Sequence, residues 1–214
     1  MTSPPSGTRA PGRFITFEGI DGSGKSTQVE RVAASLRERG IEPLVTREPG
    51  GTEFGEALRA LLLQRSMTPL AELLLMFAAR SQHVEERIRP ALAAGRIVLC
   101  DRFTDASFAY QSGGRGLPAA WVEALESWTQ GDMQPDGTLL FDLPPEEAAQ
   151  RVKAARRAAS DRFDREQVAF FARVRAAYLH RAREFPRRVV VIDASHSPQH
   201  VARQVEEAIE RWTR

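Results

Sequence analysis

The chain has 214 residues, 42% of them hydrophobic, with 30 basic and 28 acidic side chains and a formal net charge of +2. That length suits one α/β domain, or one with a small lid, and the apolar fraction can fill a core. The nearly balanced charge, without a dense basic block or stacking platform, gives no nucleic-acid signature, and the lone Cys100 excludes an internal disulfide or a cysteine-rich metal site.

Residues 1–12 are rich in Pro, Ser and Gly and predict a disordered tail ahead of one domain over 13–214. The N-terminus lacks the apolar core of a signal peptide and no apolar run is long enough to span a bilayer, so a cytoplasmic protein without a membrane partner is expected. A β-branched and aromatic run at 14–17 predicts a buried strand. It leads into Gly19-Ile20-Asp21-Gly22-Ser23-Gly24-Lys25-Ser26-Thr27, which contains G-x-x-x-x-G-K-S. A helix from about 25 to 39 follows and ends at Gly40. Strand, glycine loop and helix fall where a phosphate cradle needs them. Glycines let backbone N–H groups face an anion, and the helix start adds its positive end. Lys25 can reach terminal phosphates and the Ser26 hydroxyl can ligate Mg²⁺. A nucleoside triphosphate therefore binds at residues 19–27.

A short strand is expected at 43–46, then the turn Arg47-Glu48-Pro49-Gly50-Gly51, then helices at about 53–65 and 70–94. The second is apolar nearly all round from Leu70 to Ala79 and reads as a core helix. Residues 97–100 predict a strand with Asp101-Arg102 at its end, and Cys100 reads as a buried thiol. A helix at 104–111, a glycine loop at 113–116, and a helix at 118–130 precede a strand at 137–142. The next helix starts at Pro144-Pro145 and becomes strongly basic from Arg151. A helix at about 164–184, a strand at 189–192 and a helix at 198–213 complete the chain. Alternating strands and helices predict a parallel five-stranded sheet covered on both faces, with ligands beyond the carboxyl ends of the strands.

Two arginines sit at those ends. A pair of guanidinium forks at Arg47 and Arg102 suits a second phosphate and favours a phosphate acceptor over an alcohol, which would need a general base. Asp101 reads either as a Mg²⁺ partner, direct or through water, or as a helix N-cap. Asp21 reads equally as a turn former or a ligand. On the residues alone, Phe77 reads as core and Arg80 as solvated.

Several segments together resemble the thymidylate kinase family. They are the loop 17–28, Thr46-Arg47-Glu48-Pro49-Gly50-Gly51-Thr52, Phe77-Ala78-Ala79-Arg80-x-Gln82-His83, Asp101-Arg102-Phe103 with Ala109-Tyr110-Gln111, and Asp161-Arg162-Phe163-Asp164. The resemblance spans about 13–214. It implies a three-layer P-loop kinase fold with a short helical lid at about 151–163, and transfer of a phosphoryl group from ATP to dTMP with Mg²⁺. It implies that Phe77 stacks on thymine and Arg80 donates to thymine O4. An Arg donor there would reject cytosine, which offers an amine. Arg47 and Arg102 would hold the acceptor phosphate, Asp21 would lie near the 3′-hydroxyl, Tyr110 would pack where a ribose 2′-hydroxyl would go, and Gln111 would neighbour the base or sugar. Either Ala106 or Ser107 would face the base. Adenine would sit near 194–197.

The resemblance also requires a basic residue on the transferring phosphoryl. The loop position that can carry it is Gly22 here, so the lid cluster Arg151, Lys153, Arg156 and Arg157 is the expected source, with Arg156 or Arg157 acting. On that view an arginine at position 22 would partly replace a lost lid arginine. A solvated basic helix face is the competing reading. Family resemblance implies a homodimer. A deoxynucleoside kinase on the same sheet is the alternative. A GTPase-like switch would need an N-K-x-D motif, and the chain contains no asparagine.

Overall fold

The computed structural model describes residues 12–156 and 163–213, the side chains of 155–156 and 163–167 excepted. The predicted tail, apart from Gly12, lies outside the described residues. Five strands form one parallel sheet in the order β2-β3-β1-β4-β5: β1 Arg13–Glu18, β2 Leu44–Arg47, β3 Ile97–Asp101, β4 Gly137–Asp142 and β5 Val189–Asp193. β1 and β3 are in register from Arg13↔Ile97 to Phe17↔Asp101. Arg47 pairs with Asp101 at the end of β2, so the P-loop, Asp101 and Arg47 leave the same edge.

Helices cover both faces: α1 Lys25–Glu38, α2 Glu53–Gln64, α3 Pro69–His83, α4 Arg89–Ala93, α5 Thr104–Ser107, α6 Ala119–Gln130, α7 Pro145–Arg156, α8 Phe163–Glu184 and α9 Pro198–Thr213. Thr52 and Thr68 cap α2 and α3, accepting from Gly55 N and Ala71 N. The largest apolar cluster joins Ile15, Phe17, Leu139 and Phe141 to α1, α8 and α9. On the opposite face Phe14, Val98 and Cys100 pack on Val84 and Ile88. Trp212 lies directly over Gly137; a Cβ there would come within 2.1 Å of the indole.

Three sequence expectations change. The predicted helix at 70–94 passes through a π-helical stretch, Val84–Ile88, between α3 and α4. The predicted loop at 113–116 begins inside another, Phe108–Gly114, which carries Tyr110 and Gln111 toward the sheet edge. Helix α3 is not a core helix all round. Leu73, Phe77 and Arg80 are buried, whereas Leu70 and Leu74 are 42% and 49% exposed. Apolar residues on every face of a helix do not state which face a neighbouring element will cover.

Candidate active site

The loop after β1 is built for an anion. Gly19, Gly22 and Gly24 have φ of 136°, 85° and 87°, a region that favours glycine. A Cβ on Gly24 would meet nothing within 4 Å, so this turn opens outward. The buried Ser23 hydroxyl has no partner among the described residues. An orphaned donor beside a helix start fits a phosphate oxygen. Lys25 is 6% exposed and donates to Ile20 O at 3.0 Å, leaving two of its three N–H groups for a ligand. Burial first, and then the Arg102 guanidinium, push Lys25 down to about 8. Ser26 Oγ donates to Asp101 Oδ2 at 2.8 Å. These two hard oxygens, side by side at the loop, fit Mg²⁺.

Arg102 holds φ 73°, a conformation costing a non-glycine residue about 1–3 kcal/mol. Its N–H donates to Phe17 O, and its side chain donates from Nη2 to Asp21 Oδ1 at 2.6 Å and Tyr110 Oη at 2.9 Å. The left-handed turn thus aims Arg102 back across the P-loop. Glu18 braces it from below. Its Oε1 accepts from Phe103 N and its Oε2 from Tyr178 Oη, both at 2.7 Å. Burial, followed by the Asp105 carboxylate, pushes Glu18 up to about 8. On the other side of Asp101, Arg47 donates to Glu56 Oε2 at 2.9 Å and shares an open cleft with Ser26 and Asp101. Arg59 joins this cluster, donating to Pro49 O at 3.0 Å. Burial and then Arg47, with Arg102 adding, hold Arg59 below the usual arginine value. Arg59 thus feels two neighbouring guanidiniums, offset in part by Glu56 and Asp101, and an anion bound at this edge would relieve that repulsion.

Beside Arg102 opens a small cavity walled by Glu48, Met76, Arg80, Ala106, Ser107, Tyr110 and Gln111 among others. Arg80 is 3% exposed and donates to Glu48 Oε2 at 2.7 Å, Ser107 Oγ at 3.1 Å and Phe103 O at 3.2 Å. Its guanidinium lies 4.4 Å from the Phe77 ring centre. Three of its five N–H groups are committed, so two remain for a ligand. Gln111 Nε2 donates to Glu72 Oε1 at 2.9 Å.

Lys25, Ser26, Asp101, Arg102, Asp21 and Tyr110 come together, and Arg80, Ser107 and Gln111 share one cavity with Tyr110. Both Ala106 and Ser107 border it, with the Ser107 hydroxyl taken up by Arg80. Phe77 is corrected. It is 1% exposed, sealed among Leu73, Phe108 and Val122, and is not part of the cavity wall. Met76, one helical step round, is. Phe77 supports Arg80 from behind. The replacement expected at position 22 is corrected too, because a Cβ on Gly22 would sit 2.7 Å from Ala148 O, and α7 leaves no room. Arg151 donates to Ala194 O at 3.0 Å. The expected acting lid arginines, the side chain of Arg156 and all of Arg157, lie outside the described residues. Sequence reasoning missed Glu18, Arg59 and Met76. Glu18 alone left a signal, a carboxylate inside an apolar strand.

A family model described as Thymidylate kinase matches residues 17–205. A thymidylate kinase of Thiobacillus denitrificans is 55% identical over 203 residues, covering 95% of this chain and 98% of the relative. One from Cupriavidus pinatubonensis is 56% identical over 200 residues, covering 92% and 98%. The crystal structure of thymidylate kinase from Ehrlichia chaffeensis superposes with a TM-score of 0.74 at 33% identity, covering 93% of this chain and 99% of that one.

Proposed function

The chain belongs to the thymidylate kinase family, and we propose that it transfers the terminal phosphoryl group of ATP to dTMP, giving ADP and dTDP. The observation that carries this reading is the placement of Arg80 in the wall of a pocket that Arg102 joins to the P-loop. A base, an acceptor phosphate and a donor phosphate then line up along one sheet edge.

The acceptor phosphate is already ionised at neutral pH, so its oxygen attacks phosphorus without a general base, and the bond to the ADP oxygen breaks. The protein contributes positioning and charge. Lys25 and the loop amides hold the ATP phosphates. Arg102, Arg47 and Arg59 hold the acceptor phosphate. Asp21 is fixed by Arg102 near the sugar 3′-hydroxyl, and Tyr110 fills the space of a ribose 2′-hydroxyl. Ser26 and Asp101 would hold Mg²⁺, directly or through water, where it would offset phosphate charge. Arg156 or Arg157 completes the charge from the lid, and adenine lies beside Ala194, where Arg151 already reaches.

Family membership and exposed apolar side chains support a homodimer. Leu63, Leu70, Leu74, Trp121 and Trp128 are exposed on α2, α3 and α6, with Trp128 at 79%. No helix among the described residues is long and apolar enough to cross a membrane.

Thymidine is the test substrate. Without its phosphate it leaves Arg47, Arg59 and Arg102 without a ligand anion and gives no ionised nucleophile. A coupled ADP assay should register dTMP turnover and no thymidine turnover above background. Robust thymidine phosphorylation would favour the deoxynucleoside kinase alternative.

A further inference from the structure

Behind the base cavity lies a buried chain of polar groups with no direct place in phosphoryl transfer. Glu48 is 5% exposed and His83 is fully buried. Glu48 Oε2 accepts from Arg80 Nε at 2.7 Å, and its Oε1 lies 2.9 Å from His83 Nδ1. His83 Nε2 lies 2.7 Å from Thr46 Oγ1. An ionised carboxylate only accepts, so Nδ1 carries the proton, and in the neutral ring Nε2 accepts from the Thr46 hydroxyl. Every polar atom of the imidazole is then used. The turn after Pro49 closes over it, for a Cβ on Gly51 would come within 2.5 Å of His83 Nε2 and 2.6 Å of Thr46 Oγ1. Arg80 and His83 stand three residues apart on one face of α3 and grip the two oxygens of the same carboxylate.

We propose that His83 is a positioning residue for base selection. Resting on the reading that Arg80 reads the base, it fixes the Glu48 carboxylate that sets the Arg80 plane. Arg80 Nε can be held at a fixed angle only if Glu48 cannot rotate. A carboxylate gripped through one oxygen can rotate, and one gripped through both cannot. Thr46 prevents the ring from flipping and presenting the wrong nitrogen. A hydrogen-bond reader of a carbonyl loses discrimination once its angle is free, because water can then satisfy either base. The network spans β2, the Pro49 turn and α3, so base selection is coupled to the turn that begins with Arg47.

The test is steady-state kinetics of His83→Leu, His83→Asn, Thr46→Val and Arg80→Met, each checked for folding by circular dichroism. His83→Leu should raise KM for dTMP about tenfold or more and lower the dTMP/dCMP ratio of kcat/KM comparably, a size that coupling within one network reaches. Its kcat should change less and KM for ATP should hold. His83→Asn keeps an N–H near the Nδ1 position and should restore most of the ratio, which a purely space-filling role would not predict. A folded His83→Leu with wild-type KM and ratio overturns the proposal. If that variant does not fold, Thr46→Val decides, since it removes only the hydroxyl, and an unchanged ratio there also overturns the proposal. Arg80→Met separates the two levels. If it collapses the ratio while His83→Leu does not, positioning alone fails. If it leaves the ratio intact, the base reading fails and the positioning role with it.

Discussion

Arg80→Met should reduce the preference for dTMP over dCMP by on the order of 10²- to 10⁴-fold, with KM for ATP nearly constant. A buried donor facing a carbonyl rejects an amine because the mismatch leaves both sides unsatisfied away from water, and sites of this kind discriminate by about 10⁴-fold or more. Arg80 fits that description. It is 3% exposed, anchored by three acceptors and backed by the Phe77 ring, with two N–H groups remaining. Methionine fills similar space without a donor. The substitution also leaves Glu48 buried beside His83 alone, and an uncompensated buried charge costs about 3–5 kcal/mol. That is a sizeable part of a domain's usual stability. The ratio for two acceptors on the same protein cancels any loss of folded enzyme, so the ratio and not the rate is the measurement. Arg102→Met, in contrast, should damage every acceptor alike, since phosphate is common to all.

Lys25→Ala should lower kcat by on the order of 10²-fold or more, as removal of one preorganised charge does in other enzymes. The loop is shaped by its glycines and by Gln28 N donating to Gly24 O, so the fold should survive. A folded variant with near wild-type turnover would remove the P-loop from the mechanism. The same residue gives a pH signature. Burial and Arg102 push Lys25 down to about 8, so its charged form falls away as pH rises through that value. Only the ammonium attracts phosphate. kcat/KM for ATP, which reports the free enzyme, should therefore decline above about pH 8, and this alkaline limb should disappear in Lys25→Ala.

What could be read from the sequence was what is contiguous. The P-loop is one unbroken stretch whose chemistry depends on its own spacing. Asp101 and Arg102 were legible because an apolar strand ends there and a parallel sheet gathers its strand ends. Residues whose meaning depends on a distant partner were not. Arg59 looks like any arginine on a helix until the turn at Pro49 folds over it. His83 looks like a helix-end histidine until Glu48, far back in the chain, meets it. The exchange of Phe77 for Met76 has a plainer cause. Neighbouring residues on a helix point about 100° apart, and a run apolar on all sides does not say which of them faces the cavity. Leu70 and Leu74 went the same way, expected inside and found exposed. The room at position 22 depends on how closely α7 approaches, which no local pattern encodes.

Specific transfer to dTMP is tested most directly by product analysis with the pure protein, ATP and Mg²⁺, supplying dTMP, dCMP, dAMP and dGMP in turn. ADP and dTDP should form in one-to-one amounts from dTMP, with dCMP slower by orders of magnitude. Equal turnover of dCMP and dTMP, or ADP release that dTMP does not stimulate, would contradict it.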